Sequence, residues 1–456
     1  MALKKIVILD GARPEDKHLD PVLTLLTKML EEKNTAEVKV FRLRYITINH
    51  CIGCFKCWLK TPGECIYTND AGSEILQAVL DSDILVLFTP VIFGGYSSEL
   101  KKILDRFLPL ALPFIKKMYG ETHHPRRYLT FPRFIGIGVH PHPQENLSVC
   151  FKMLVGRNAV NAGVEYAAEV VSNLISPEFL RSLFQNLFSR TDKLPRPNDL
   201  NTLLSNTSPP AGILPTKNRR ALLLVGSPKI NAQSTSAILG GHLLHKLKKY
   251  GWTTELITLQ ENFLHKKERL NFLASIDRAD TIVVASPLYI DSLPYLTTKA
   301  LELISHHRES AKNRQPKNFL AIINNGLTES YQNAVALAIC NNFSMTCGMT
   351  WAGGLAMGAG EQLISGHPLL GFKGFRGTKR PPLFYVARAL DIAAAALAEE
   401  RPVPEKAAQL INKKPVPFIS FDFWHWFLVR KGNSLLKNEA VKNGLDIKAM
   451  RHQPYT

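Results

Sequence analysis

Four of the seven cysteines in this 456-residue chain fall inside one short stretch, CIGCFKCWLKTPGEC, at Cys51, Cys54, Cys57 and Cys65. The other three, Cys150, Cys340 and Cys347, are scattered. Thiolates spaced C-x2-C-x2-C can converge on one metal centre, and Cys65 can complete four ligands across the Pro62-Gly63 turn. Four thiolates satisfy a 4Fe-4S centre, and cluster-binding loops share this compact cadence with one more distant cysteine. Zinc also accepts four thiolates, although structural zinc sites more often pair two separated C-x-x-C knuckles. A loop of structural or redox-active thiols without metal is the third reading, because soft thiolates do not discriminate sharply on spacing alone.

A second set of residues follows the apolar run ALLLV, in GSPKINAQSTSAILGG. Gly226 permits a sharp turn. Ser227, Asn231, Gln233, Ser234, Thr235 and Ser236 offer hydroxyls and amides just ahead of a helix whose free N–H groups attract an anion. The set suits the phosphate of a flavin, and an ordinary Ser/Thr-capped helix start would carry the same residues. It lacks the Gly-Lys-Ser/Thr of Walker A and the G-x-G-x-x-G fingerprint. Two further polar loops, SPLYIDSLP (286–294) and NNGLTESYQN (324–333), fall where a wound sheet places its ligands. In the first, Leu288 or Tyr289, set between Pro287 and Ile290, could pack beside a flat ring. In the second, backbone groups near Asn325 and Gly326 could bond the ring's pyrimidine edge.

Positioning these loops is the task of two copies of one unit. SDILVLFTPVIFGGYSSELKKILD (82–105) aligns with ADTIVVASPLYIDSLPYLTTKALE (279–302), so that Asp83 meets Asp280, Pro90 meets Pro287 and Lys102 meets Lys299. Each copy is a continuous apolar run, a Thr/Ser-Pro, a loop and an amphipathic helix; a strand with that uniform character is buried on both faces in a parallel sheet. Further strands are expected at Ile6–Leu9, Val38–Leu43 and Arg133–Val139, and again at Ala221–Val225, Thr254–Leu259 and Asn318–Asn324. Alternation of strand and helix predicts an α/β fold of two doubly wound parallel sheets in tandem. Gly11 to Asp83 spans 72 positions against 54 from Gly226 to Asp280, and the surplus matches Cys51 to Thr68. The cysteines therefore read as a loop inserted after the second strand. The expected division is a first domain over 1–190, a Pro/Asn/Ser-rich linker over 191–219, a second domain over 220–400 and a basic aromatic extension over 401–456.

Composition excludes little else. Hydrophobic residues make up 45% and charged residues 21%, so neither disorder nor a fibrous class is indicated. The net charge of +18 suits anionic partners, but no Lys/Arg block or helix-turn-helix pattern accompanies it, and no nucleic acid is expected. The apolar run Ile6–Leu9 is too short for a signal peptide or a membrane span. A cytoplasmic location is the expectation, and there a cysteine cluster favours metal or redox chemistry over disulfides. His123, His124, His140 and His142 read as loop histidines beside prolines. The run PFISFDFWHWFLVRKG (417–432) reads as a segment docked on its own domain or a second subunit, with a membrane interface as the alternative.

The pattern GSPK-x-x-x-x-S-x-S followed by SPLY-x-D-x-LP resembles the flavodoxin-like NAD(P)H-dependent FMN reductases. The first copy, with C-x2-C-x2-C-x7-C, then D-A-G, then FGGYSSELKK-x-LDR, resembles the iron-sulfur flavoprotein branch of that superfamily. Together they cover roughly residues 1 to 360. The resemblance implies two flavodoxin-like domains, bound FMN at the polar loops and NAD(P)H as electron donor. It implies electrons passing to a flavin, a quinone or a protein acceptor, through a 4Fe-4S cluster if the cysteines hold one; pairing of subunits over the flavin is common there, so a homo-oligomer is a further expectation. The cofactor carries the hydride chemistry, so no catalytic triad is sought. A non-enzymatic electron carrier or a zinc-braced interaction protein is the alternative. The first copy departs from the pattern at DGARPEDKHLDP (10–21), where Asp10, Glu15, Asp16 and Asp20 replace the Ser/Thr donors, opposed by Arg13, Lys17 and His18. The FMN site is therefore expected in the second half.

Overall fold

The computed structural model describes residues 3–32, 36–207, 209, 212–229, 234–310, 315–364, 369, 383–413 and 420–455. The apolar runs of the first half form Lys4–Asp10 (β1), Ala36–Arg42 (β2), Ile84–Pro90 (β3), Arg133–Val139 (β4) and Tyr166–Val171 (β5). Those of the second half form Arg220–Val225 (β6), Thr253–Thr258 (β7), Thr281–Pro287 (β8), Asn318–Asn324 (β9) and Thr350–Met357 (β10). The hydrogen-bonded orders are β2-β1-β3-β4-β5 and β7-β6-β8-β9-β10, parallel throughout. These are two flavodoxin-like α/β domains in tandem, each with its order reversing beside the first strand.

The central strands read as unbroken apolar runs because helices cover both faces of each sheet. β3 and β9 are buried along their whole length, whereas β2 and β7 are largely open, as sheet edges are. In the first sheet, helices Asp20–Glu31 and Pro177–Ser189 pack Leu23, Leu26, Phe184 and Leu187 onto Ile8, Val86 and Ile135. In the second, helices Thr235–Lys249 and Phe384–Ala398 pack Leu243 and Leu247 with Ala389, Leu390, Ala393 and Leu397 over Leu223, Val283 and Leu320. The alanine-rich face of the latter helix lets its backbone approach closely.

The chain divides into two compact units, one of Met1–Lys116, His123–Arg196 and Asn433–Thr456, the other of Lys117–Thr122 and Pro197–Gly432. Part of the stretch read as a linker is ordered: Pro197–Ser205 is a helix of the second unit, with Leu200 and Leu203 buried one turn apart. It was hidden in the sequence because only two apolar positions mark its inner face. Just beyond it, the Thr207 carbonyl accepts from Trp351 Nε1 at 2.6 Å. The C-terminal stretch is likewise shared. Helix Phe421–Lys442 buries Leu428, and Lys431 Nζ donates to the Gln362 carbonyl at 2.7 Å, within the second unit. Within the first unit, Asn433 exchanges two hydrogen bonds with the Ile115 backbone, and Ala440 and Met450 pack on Phe114. Phe423, Trp426 and Phe427 stay exposed, so docking uses the other side of that helix. Among the described residues no helix is long and apolar enough to cross a membrane.

Leu200 is fully buried, so Leu200→Ala is expected to destabilise the second unit by about 2–5 kcal/mol. Chemical denaturation followed by tryptophan fluorescence checks this, and a cost near zero would return Pro197–Ser205 to the status of a passive connection.

Candidate functional site

After β2 the chain makes a short 3-10 turn and then runs through an irregular segment with one short helix, Lys56–Leu59, before helix Gly72–Leu80 begins. All four cysteines of this segment line one small cavity together with Ile52, Phe55, Tyr67, Asp105 and Arg106. Cys57 is buried, Cys51 and Cys65 are half-buried and Cys54 is exposed. The Gly53 N–H points to Cys51 Sγ at 3.5 Å. Burial pushes the Cys51 thiol up to about 12 against that N–H, with Asp105, Cys65 and Cys54 adding to the rise. Burial likewise drives Cys57 well above its ordinary value. Thiols so placed stay protonated when nothing is bound, as the buried Cys150, raised to about 12 by burial, also does. Among the described residues no group of three or more Cys, His, Asp or Glu side chains is gathered closely enough to grip a single ion.

The sequence reading missed the charged residues at this cavity. Arg106, from the LDR that follows β3, is 1% exposed and forms a fork on Asp70, with Nη1 at 2.8 Å from Oδ2. Asp70 belongs to the D-A-G motif, and both motifs were visible as resemblance without any hint that they meet. Burial alone would raise the Asp70 carboxyl, but Arg106 and the N–H groups of Asn49 and Gly72 outweigh it and hold it below its ordinary value. Of the histidines set aside in the sequence, His123 ends a short strand, Glu121–His123, instead of lying in a loop. His124 is half-buried against Trp58, 4.7 Å between centroids, and desolvation lowers it to about 4; His123 Nδ1 pairs with Asn161 at 2.7 Å.

In the second unit the polar loops meet at the carboxyl ends of β6, β8 and β9. Gly226 donates to the Ala285 carbonyl at 2.8 Å and its own carbonyl accepts from Thr297 Oγ1. A Cβ on Gly226 would drive into Thr297 Oγ1 and Ser286 Oγ, so only glycine fits. Ser227 is buried beside it. Asn231 and Gln233 lie outside the described residues. Ser234 is the N-cap of helix Thr235–Lys249, accepting from the Ala237 N–H at 3.2 Å, and Ser236 Oγ donates to Asn324 Oδ1 at 2.9 Å. Pro287 ends β8, and the Leu288 N–H reaches the Asn324 carbonyl at 2.8 Å. Tyr289 and Ser292 then close a tight turn that holds Ile290 at φ 49° and Asp291 at φ 56°. A β-branched residue in the left-handed region is strained, and such strain collects at functional loops.

Asn325 carries a buried Oδ1 with no partner among the described residues, an acceptor open to a bound donor. Its backbone is committed elsewhere: Asn325 N–H bonds Met357, its carbonyl takes the Gly360 N–H, and Gln362 Nε2 takes the Gly326 carbonyl. The segment after β10 thus covers this loop, and Glu361 from it pairs with Lys229 at 2.8 Å. The equivalent loop of the first copy is closed by ion pairs. Arg13 holds Asp16 at 2.7 Å, while Arg44 bonds both Asp10 and Asp20, with Arg42 also on Asp20. Arg42 and Arg44, delivered from the end of β2, went unread in the sequence. Burial raises the Asp10 carboxyl despite Ala12 N–H and Arg44.

Gly226→Ala is expected to destabilise the second unit by about 1–3 kcal/mol through overpacking, seen as a lowered thermal midpoint. For Asp70, a folded pKa below the unfolded one means its contribution is fully present above the ordinary carboxylate value and is lost as pH falls through the folded value. Asp70→Asn should therefore cost about 3–5 kcal/mol at neutral pH, with the gap to wild type narrowing below about pH 4; denaturation curves across that range check it.

The family model described as NADPH-dependent FMN reductase matches residues 4–122 and again 219–357, more than half of the chain. An iron-sulfur flavoprotein of Methanocaldococcus jannaschii is 36% identical over 112 residues, 25% of this chain and 55% of that protein. An iron-sulfur flavoprotein of Archaeoglobus fulgidus is 32% identical over 124 residues, 26% of this chain and 53% of that protein. The chain thus spans about half the length of these relatives. The structure of an FMN-dependent NADH-azoreductase from Bacillus anthracis in complex with FMN is 14% identical, covers 39% of this chain and 99% of that one, and superposes with a TM-score of 0.28.

Proposed function

From a chain that belongs to the NADPH-dependent FMN reductase family, we propose an FMN-dependent oxidoreductase that takes electrons from NAD(P)H and passes them to a flavin, a quinone or a protein acceptor. In this reading Cys51, Cys54, Cys57 and Cys65 hold a 4Fe-4S cluster, and the reaction belongs in the cytoplasm. FMN, when bound, supplies the hydride and single-electron chemistry. The observation that carries the flavin reading is the meeting of Gly226, Ser234, Ser236, Leu288 and Asn325 at the strand tips of β6, β8 and β9, beside the switch point. Ser227, Asn231, Gln233, Ser234, Thr235 and Ser236 are assigned to the phosphate, since helix Thr235–Lys249 begins there and a helix start attracts an anion. Pro287, Leu288, Tyr289 and Ile290 flank the ring, and Asn325 with Gly326 meets its polar edge. The first copy is the weaker candidate for a phosphate site, because Arg13, Arg42 and Arg44 there pair with Asp16, Asp20 and Asp10.

Four thiols lining one cavity supply the donor type that a cluster takes. A four-iron cluster takes its thiolates on separate metal atoms, so ligands arranged around a cavity suit it, whereas zinc requires them on one point.

Anaerobically purified protein is expected to contain FMN, iron and acid-labile sulfide, and NADPH or NADH should bleach the flavin absorbance. A flavin spectrum unchanged by either donor would remove the reductase reading. Stoichiometric zinc without iron and sulfide would remove the cluster. Ser234→Ala should cost about 1 kcal/mol in stability through loss of the cap and weaken FMN retention on gel filtration; undiminished retention would move the phosphate elsewhere.

A further inference from the structure

The cysteine segment leaves the fold at Asn49 and rejoins it at Asp70, and these two ends are tied together. The Asn49 N–H and side-chain Nδ2 both donate to Asp70 Oδ2, at 2.7 and 3.0 Å, and the Gly72 N–H donates to Asp70 Oδ1 at 2.9 Å. Arg106 closes the same ring from the other side. Its Nη1 donates to the Asn49 carbonyl and to Asp70 Oδ2, each at 2.8 Å, and its Nη2 to the Tyr67 carbonyl at 3.1 Å. The guanidinium lies so close to the backbone at Gly72 that a Cβ there would sit 2.6 Å from Nη2, which explains the glycine of D-A-G. Arg106 also lines the thiol cavity, and its Nε is buried without a partner among the described residues.

We propose that Arg106 is the positioning residue of the thiol site: it clasps the neck of the cysteine loop before any centre is assembled, and it supplies a buried positive charge beside that centre, on a wall it shares with Asp105. This deepens the cluster reading and rests on it for the second half of the statement only. A centre held by four thiolates is anionic and becomes more so on taking up an electron, so a cation enclosed at the cavity wall favours the reduced form and raises the reduction potential. The fork of the guanidinium is needed for the clasp, because it must reach two backbone carbonyls and a carboxylate at once; the charge alone is needed for the potential.

The test uses the full chain with Arg106→Gln, Arg106→Lys and Gly72→Ala. Amide hydrogen exchange of the metal-free protein at Asn49, Gly72 and the intervening peptide reads the clasp. After anaerobic loading with iron and sulfide, the midpoint potential reads the charge. We expect Arg106→Gln and Gly72→Ala to speed exchange at the neck by about tenfold or more, the loss of one partner from a buried pair. We also expect Arg106→Gln to shift the midpoint to more negative values, and Arg106→Lys to restore the midpoint while leaving exchange fast. Unchanged exchange in Arg106→Gln overturns the clasp, and a full iron content with an unchanged midpoint overturns the charge role. Failure of the wild type to take up iron and sulfide overturns the cluster reading and with it the charge role, while the exchange measurement still decides the clasp.

Discussion

Because the strands within each sheet are parallel to one another, the connections that follow them emerge at one end of that sheet. The apolar strands need no help from those connections to pack, so the loops are free to carry charge, thiols and strained turns without cost to the core. The cysteine segment after β2, the turn after β3 and the polar loop after β6 all exploit that freedom. An insertion in a connection of this kind lengthens the loop-closure entropy only slowly, which is why a four-cysteine loop can be added to one copy and leave the strand order of both alike.

The two copies show what such freedom permits. The turn Ile92–Gly95 and the turn Tyr289–Ser292 have the same pair of reciprocal backbone hydrogen bonds and the same left-handed residues, Phe93 and Gly94 in one, Ile290 and Asp291 in the other. The loops after β1 and β6, in contrast, have taken opposite chemistry. One neutralises its carboxylates internally with Arg13, Arg42 and Arg44, and the other keeps hydroxyls around a helix start. Carboxylates paired with arginines from the end of β2 repel a phosphate, and burial makes exchange of such a partner expensive.

Eight of the ten strands of the two parallel sheets were legible because a strand buried on both faces has no polar alternation to obscure it, as in Ile84–Pro90 and Thr281–Pro287, whereas Tyr166–Val171, Thr350–Met357 and the strand order were not read. The polar loops were legible as donors but not as partners: Ser236 bonding Asn324 depends on where two strands end in space. Helix Pro197–Ser205 escaped notice because its inner face is two leucines long. Arg106 and Asp70 are separated by 36 positions, and no local period connects residues that far apart. The covering of Gly326 by Gln362 was equally invisible, being a side-chain-to-backbone bond between two connections.

The cysteine segment has almost no apolar core of its own, since Cys54, Lys56, Lys60, Thr61 and Glu64 all face solvent. A loop so built would be expected to collapse or wander unless fixed at several points. Three fixings are present. At the neck, Asp70 and Arg106 gather Asn49, Tyr67 and Gly72. In the middle, Trp58 is buried with its indole N–H shared between the Leu108 and Ala111 carbonyls at 3.0 Å. At the far turn, Gly63 has φ 91° and lies directly against Pro454, where no larger residue fits. Each fixing uses backbone or ring contacts and none uses a thiol. The four sulfurs are therefore brought around one cavity by the fold itself, with Cys51 Sγ also receiving the Gly53 N–H at 3.5 Å.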